Sequence, residues 1–229
     1  MQSSPGLIAK LGESQADTGV YRAADSIPRM QRPGVSCGPV EPPPGENFSG
    51  SQSGSQHGEE AMTLNEFIED AFNTEHEYLM DALGDITPEE LMWRAGPEAN
   101  PIGWILWHMT RVEDMWFQFF IQRKPEIWES EGWNKKFGLP TRDNGFDHTQ
   151  EQVANFPAYD LAEMLKYGEA VRAATLDYLK TVTTEQMDVV PREARPEMSV
   201  GRIFRQVVGE VYQHQGHIAY LKGLARSGK

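Results

Sequence analysis

Glu210 and His214 stand four residues apart near the end of the chain, and His108 lies far upstream. On a helix, an i, i+4 spacing stacks two side chains roughly 6 Å apart on one face, where both can converge on one ion. An imidazole from a facing helix would complete a set of two histidines and one glutamate. Three nitrogen and oxygen donors suit Zn²⁺, Ni²⁺ or Fe²⁺ and leave at least one coordination position open, the feature that separates catalytic from structural sites. Each residue also has a plainer reading. A lone histidine on an apolar stripe is commonly a hydrogen-bonded core residue, and Glu210 could be neutralised by Arg172, Arg202 or Arg205. Some partner is required, because an unpaired buried carboxylate costs several kcal/mol.

The other polar residues read less sharply. His217 sits on the flank of the same stripe beside Ile218, and His76, between Glu75 and Glu77, reads as a solvated face. His148 falls in an irregular stretch, where it could support the site or touch a substrate. Arg111, Glu113 and Asp114 fall off the expected core face and read as ordinary charged surface. The chain has no HExxH, no GxxxxGK[ST], no GxGxxG and no CxxC. A ferritin-like di-iron site would need Glu-x-x-His on two helices, and Glu210 to His214 is a longer step. Cys37 is the one cysteine, which excludes an intrachain disulfide and makes a reducing cytoplasm the expected location.

Four long helices must position these residues. Thr63 with Glu66 forms a capping box ahead of Leu64, Phe67, Ile68, Ala71, Leu79 and Leu83 at helical spacing. Thr87-Pro88-Glu89-Glu90 starts a short turn with proline at the first helical position. Asn100-Pro101 precedes a run from Ile102 to about Gln122, in which Pro101, Ile105, His108, Val112, Met115 and Phe119 share one face. Residues 124–158 are aperiodic but carry Trp128, Trp133, Phe137 and Phe146, so this crossover is expected to pack back on the domain. Asp160 with Glu163 opens a third helix, and Ser199 caps a fourth whose stripe reads Ile203, Val207, Glu210, His214 and Leu221. The expectation is an all-α four-helix bundle over residues 62–229, with a long crossover between its second and third helices.

Residues 1–61 read differently. The first sixty hold 9 Gly, 9 Ser and 7 Pro and no tryptophan, too little apolar surface to offset the entropy of ordering. A disordered tail is expected there, with Met62 as an alternative natural start. The chain of 229 residues carries a formal charge of −13, which argues against nucleic acid as a partner. No apolar stretch approaches the ~20 residues that cross a bilayer.

The segment Asn100-Pro101-Ile102-Gly103-Trp104-Ile105-Leu106-Trp107-His108, continuing to Asp114, resembles the second-helix signature of the DinB-like superfamily. His214-Gln215-Gly216-His217-Ile218 resembles its fourth-helix signature. Between them, residues 127–133 and Phe137-Gly138-Leu139-Pro140 resemble the crossover of a branch described as mycothiol-dependent transferases. The resemblance implies a four-helix bundle that binds a divalent metal, zinc or nickel, through His108, Glu210 and His214. Many members have histidine where this chain has Glu210, which leaves His217 as an alternative ligand. It also implies a low-molecular-weight thiol as co-substrate, a small electrophile to receive it or be isomerised, and a homodimer. Trp104, Trp107, Trp128, Trp133 and His148 could wall the substrate pocket. A metal-dependent hydrolase and a non-catalytic metal-binding dimer are the alternatives.

Overall fold

Thr63, Thr87 and Thr149 each accept a backbone N–H three residues on, and Glu66, Glu90 and Gln152 return a bond to the cap backbone. These reciprocal boxes satisfy amides that a helix start leaves without partners. Asp160 and Ser199 cap singly. Glu163, three residues after Asp160, pairs with Lys136 and Lys166. The computed structural model describes residues 61–228. The expected disordered tail, with Cys37 and His57, lies outside the described residues.

Among those residues the chain is all helix, without a strand. The elements are α1 (Leu64–Leu83), α2 (Pro88–Met92), α3 (Ile102–Asp114), α4 (Ile127–Ser130), α5 (Trp133–Phe137), α6 (Gln150–Ala154), α7 (Leu161–Leu179) and α8 (Val200–Ser227). The bundle consists of α1, α3, α7 and α8; α1 and α3 each pack against both α7 and α8. The core joins Phe72, Ile102, Phe117, Met164, Tyr167, Ile203, Phe204, Val207 and Ile218. No described helix is long and apolar enough to cross a membrane.

Three expectations about the core need correction. Leu64 and Phe67 are 47% and 59% exposed, at the open start of α1. The second departure is at α3, which is buried nearly all round because the crossover covers the side that a helical wheel assigns to solvent. Arg111 and Asp114, read as surface, are therefore interior residues, and Glu113, read likewise, is buried against Arg172 on α7. Beyond Asp114 the helix widens into a π-helical segment, Met115–Ile121. Its i→i+5 bonding changes the angular step, and Phe119, expected on the stripe, emerges partly exposed.

Buried charges are matched in pairs. Arg172 donates to Glu113 from Nε at 3.0 Å, to Glu75 at 3.2 Å, and to the Phe72 carbonyl at 2.8 Å. Burial nevertheless pushes the Glu75 carboxyl above its ordinary range, against the pull of Arg172. Removing a guanidinium from two interior carboxylates leaves them uncompensated, at a cost of about 3–5 kcal/mol. Arg172→Ala is expected to show that loss in urea unfolding, whereas Lys180→Ala, which breaks an exposed pair with Asp177, leaves the midpoint in place.

Candidate metal centre

His108 comes from the middle of α3, and Glu210 and His214 come from one turn of α8, the helix packed against it. One donor atom from each lies within 4.8 Å of the other two. Glu210 Oε1 is 3.5 Å from His108 Nε2 and 3.0 Å from His214 Nε2. The two edges match the roughly 3.0–3.6 Å between neighbouring donors bound at about 2.0–2.2 Å to one ion. His108 is buried, while Glu210 and His214 stand half-buried at the edge of the α8 core stripe rather than at its centre. Hydrogen bonds from His108 and His214 outweigh burial and hold the Glu210 carboxyl down to about 2. It is therefore an anion over the whole physiological range.

The guanidinium partners considered from sequence do not serve Glu210. Arg172 is turned to Glu75 and Glu113. Among the described residues, the ion-pair partners of Glu210 are His108 and His214. His217 lies outside the converging group: it is exposed, with Nδ1 at 3.4 Å from His214 Nδ1. His76 stands apart on α1, at the rim of a 40 Å³ cavity lined also by Glu113 and Arg172.

The crossover orients His108. Its Nδ1 makes a short hydrogen bond with the Asn144 carbonyl. A carbonyl only accepts, so Nδ1 carries the proton, and Nε2, which faces Glu210, donates to it when the ring is protonated and presents a lone pair when the ring is neutral. Trp104 lies flat against the same ring, with centroids 4.8 Å apart and planes 12° apart. Trp104 Nε1 donates to His148 Nδ1 at 3.1 Å, and His148 Nε2 donates to Asp143 at 2.9 Å. Both nitrogens of His148 are thus engaged within the protein, and it braces Trp104 instead of offering a free base. Trp107 and Trp128 are fully buried, and Trp133 packs on Phe137 and Tyr167. Of the five residues considered for a substrate wall, Trp104 is the one stacked on His108, and Trp107 and Trp128 form the packing behind it.

Sequence reading missed Asn144 and Gly145. The role of Asn144 is carried by its backbone oxygen, which side-chain type does not reveal. Gly145 has φ +83°, and a Cβ there would lie 2.6 Å from Trp104, 2.9 Å from Trp107 and 3.2 Å from His108 Nδ1. The signal available was the Asp143-Asn144-Gly145 turn sequence.

A family model described as the DinB superfamily matches residues 71–218, a span that includes His108, Glu210 and His214. Among solved structures, the chain is similar to one described as the conserved protein of locus from Enterococcus faecalis, with a TM-score of 0.66 and 23% identity. That likeness covers 74% of this chain and 100% of the other, and at such identity it speaks for the fold alone. No curated protein matches the chain.

Two glycines separate backbone strain from steric conflict. Gly138 has φ +66° with nothing within 4 Å of a Cβ, so Gly138→Ala carries only the left-handed penalty of about 1–2 kcal/mol. Gly145→Ala adds overpacking worth a further ~1–3 kcal/mol. It is expected to lower the unfolding midpoint more and to shift the tryptophan emission, which Gly138→Ala leaves alone.

Proposed function

The chain belongs to the DinB superfamily, and on that footing we propose that His108, Glu210 and His214 hold a divalent metal ion, zinc or nickel. We further propose that the protein is an enzyme that uses the ion to bring a low-molecular-weight thiol, such as mycothiol, to a small electrophile, as a transferase or isomerase. One observation carries the reading: the Glu210 carboxylate sits between two imidazole nitrogens and, among the described residues, has no arginine or lysine paired to it. Two neutral imidazoles and one carboxylate are a donor set of the right type and number for such an ion. Bound there with a position open, the ion would favour the thiolate of an entering thiol, the nucleophilic form.

The chain's own residues supply the rest. Asn144 fixes which nitrogen of His108 faces the site, and Trp104 keeps the ring plane. The chain's single cysteine, Cys37, lies outside the family match, so the reacting sulfur is assigned to a diffusible thiol. A reducing cytoplasm is the setting that suits one unpaired cysteine. The acidic charge of −13 disfavours nucleic acid. Exposed Met62, Leu64 and Phe67 on and beside α1, next to a groove of about 250 Å³, offer a homodimer an apolar face.

Two measurements test this. Metal analysis of purified protein is expected to give about one equivalent of transition metal, against less than about a tenth for His108→Ala and for His214→Ala. His217→Ala should keep the full equivalent; its loss there would move the ligand assignment to His217. Metal-replete protein is then screened with several cellular thiols and electrophiles. Metal-dependent consumption of thiol supports the transferase or isomerase reading. Turnover without thiol would make the protein a hydrolase, and stoichiometric metal with no turnover would make it a binding protein.

A further inference from the structure

Arg111 is 1% exposed, one turn beyond His108 on α3, and every one of its donors has a partner. Nε donates to the Asp143 carbonyl at 3.1 Å. Nη1 donates to Asp114 at 3.3 Å and to the Tyr167 hydroxyl at 3.1 Å. Nη2 donates to Glu126 through a short contact and to the Thr141 carbonyl at 3.4 Å. Asp114 extends the grip, accepting the Ile127 and Trp128 amides at 2.9 Å each and the Tyr167 hydroxyl at 2.8 Å. One turn of α3 therefore holds the start of the crossover at residues 126–128 and its return at residues 141–143.

The return matters for the metal centre. One of the two peptide oxygens that Arg111 holds belongs to Asp143, and the next along the chain, of Asn144, is hydrogen-bonded to His108 Nδ1. The Asp143 carboxylate accepts from His148, which braces the Trp104 ring stacked on His108, and from the Gly145 amide at 2.9 Å. We infer that Arg111 is a positioning residue: by clamping the crossover at Asp143 it sets the tautomer and orientation of His108. The inference rests, for its functional consequence, on His108 being a metal ligand. A lysine cannot replace it, because an ammonium has three donors at a single nitrogen while the guanidinium serves five acceptors spread over a plane.

The test begins on metal-free protein. Nitrogen-15 NMR of the histidine side chains at mildly alkaline pH should show one His108 tautomer in the wild type, protonated at Nδ1. Arg111→Lys should give a mixture of both tautomers, with helical content by circular dichroism retained. Arg172→Lys is the control: it also alters a guanidinium held between two buried carboxylates, but one that does not touch the crossover, and it should leave the His108 signal unchanged. If Arg111→Lys fails to fold, Tyr167→Phe decides, because it removes one hydroxyl from the clamp while keeping the ring, and it should shift the same signal to a smaller extent. In metal titrations, Arg111→Lys is expected to lose about 10–100-fold in affinity, the usual cost of disturbing the group that orients a ligand. A wild-type tautomer at Nε2 overturns the inference, as does a His108 signal unmoved in the folded clamp variants. A shifted tautomer in a protein that takes no metal would leave the clamp standing and defeat the metal reading instead.

Discussion

A carboxylate set between two imidazole nitrogens is the feature around which the rest of this protein arranges itself. The fold neutralises its other buried acids with arginine: Glu75 and Glu113 with Arg172, Asp114 and Glu126 with Arg111, Glu90 with Arg226. Glu210 departs from that habit. Its ion-pair partners among the described residues are His108 and His214, groups that carry full positive charge only when protonated. These three groups could hold a metal ion, and this distinguishes them from the structural ion pairs elsewhere in the bundle.

Helix α3 is the element on which this depends. One side presents His108 to α8, another presents Glu113 to Arg172 on α7, and a third sends Arg111 and Asp114 into the crossover. A helix with so many buried charged residues is tolerable only when each charge is matched, since an unmatched interior charge costs several kcal/mol. The matching also gives the crossover its shape, because Arg111 and Asp114 bond backbone groups whose positions would otherwise be free. The crossover then returns the constraint to the proposed metal centre through Asn144, Trp104 and His148.

Helix starts were legible because capping boxes are written in side-chain types, as at Thr63 and Thr87. Glu210 and His214 were legible from their four-residue step, and His108 from its place in an apolar stripe. What escaped the sequence depended on tertiary cover or on backbone. Arg111, Glu113 and Asp114 looked solvated on a wheel drawn for α3 alone, and only the crossover and α7 packed over that side bury them. Phe119 was misplaced because a 3.6-residue period does not continue through the π-helical segment after Asp114. Leu64 and Phe67 satisfied the periodicity, yet they stand exposed beside the groove at the start of the bundle.

X-ray absorption at the metal edge of zinc-loaded protein tests the central claim most directly. The account predicts a first shell of nitrogen and oxygen with outer-shell scattering from two imidazoles, falling to one imidazole in His108→Ala protein held at saturating zinc. A shell with three imidazoles or none, or two imidazoles still present after His108 is removed, would contradict it.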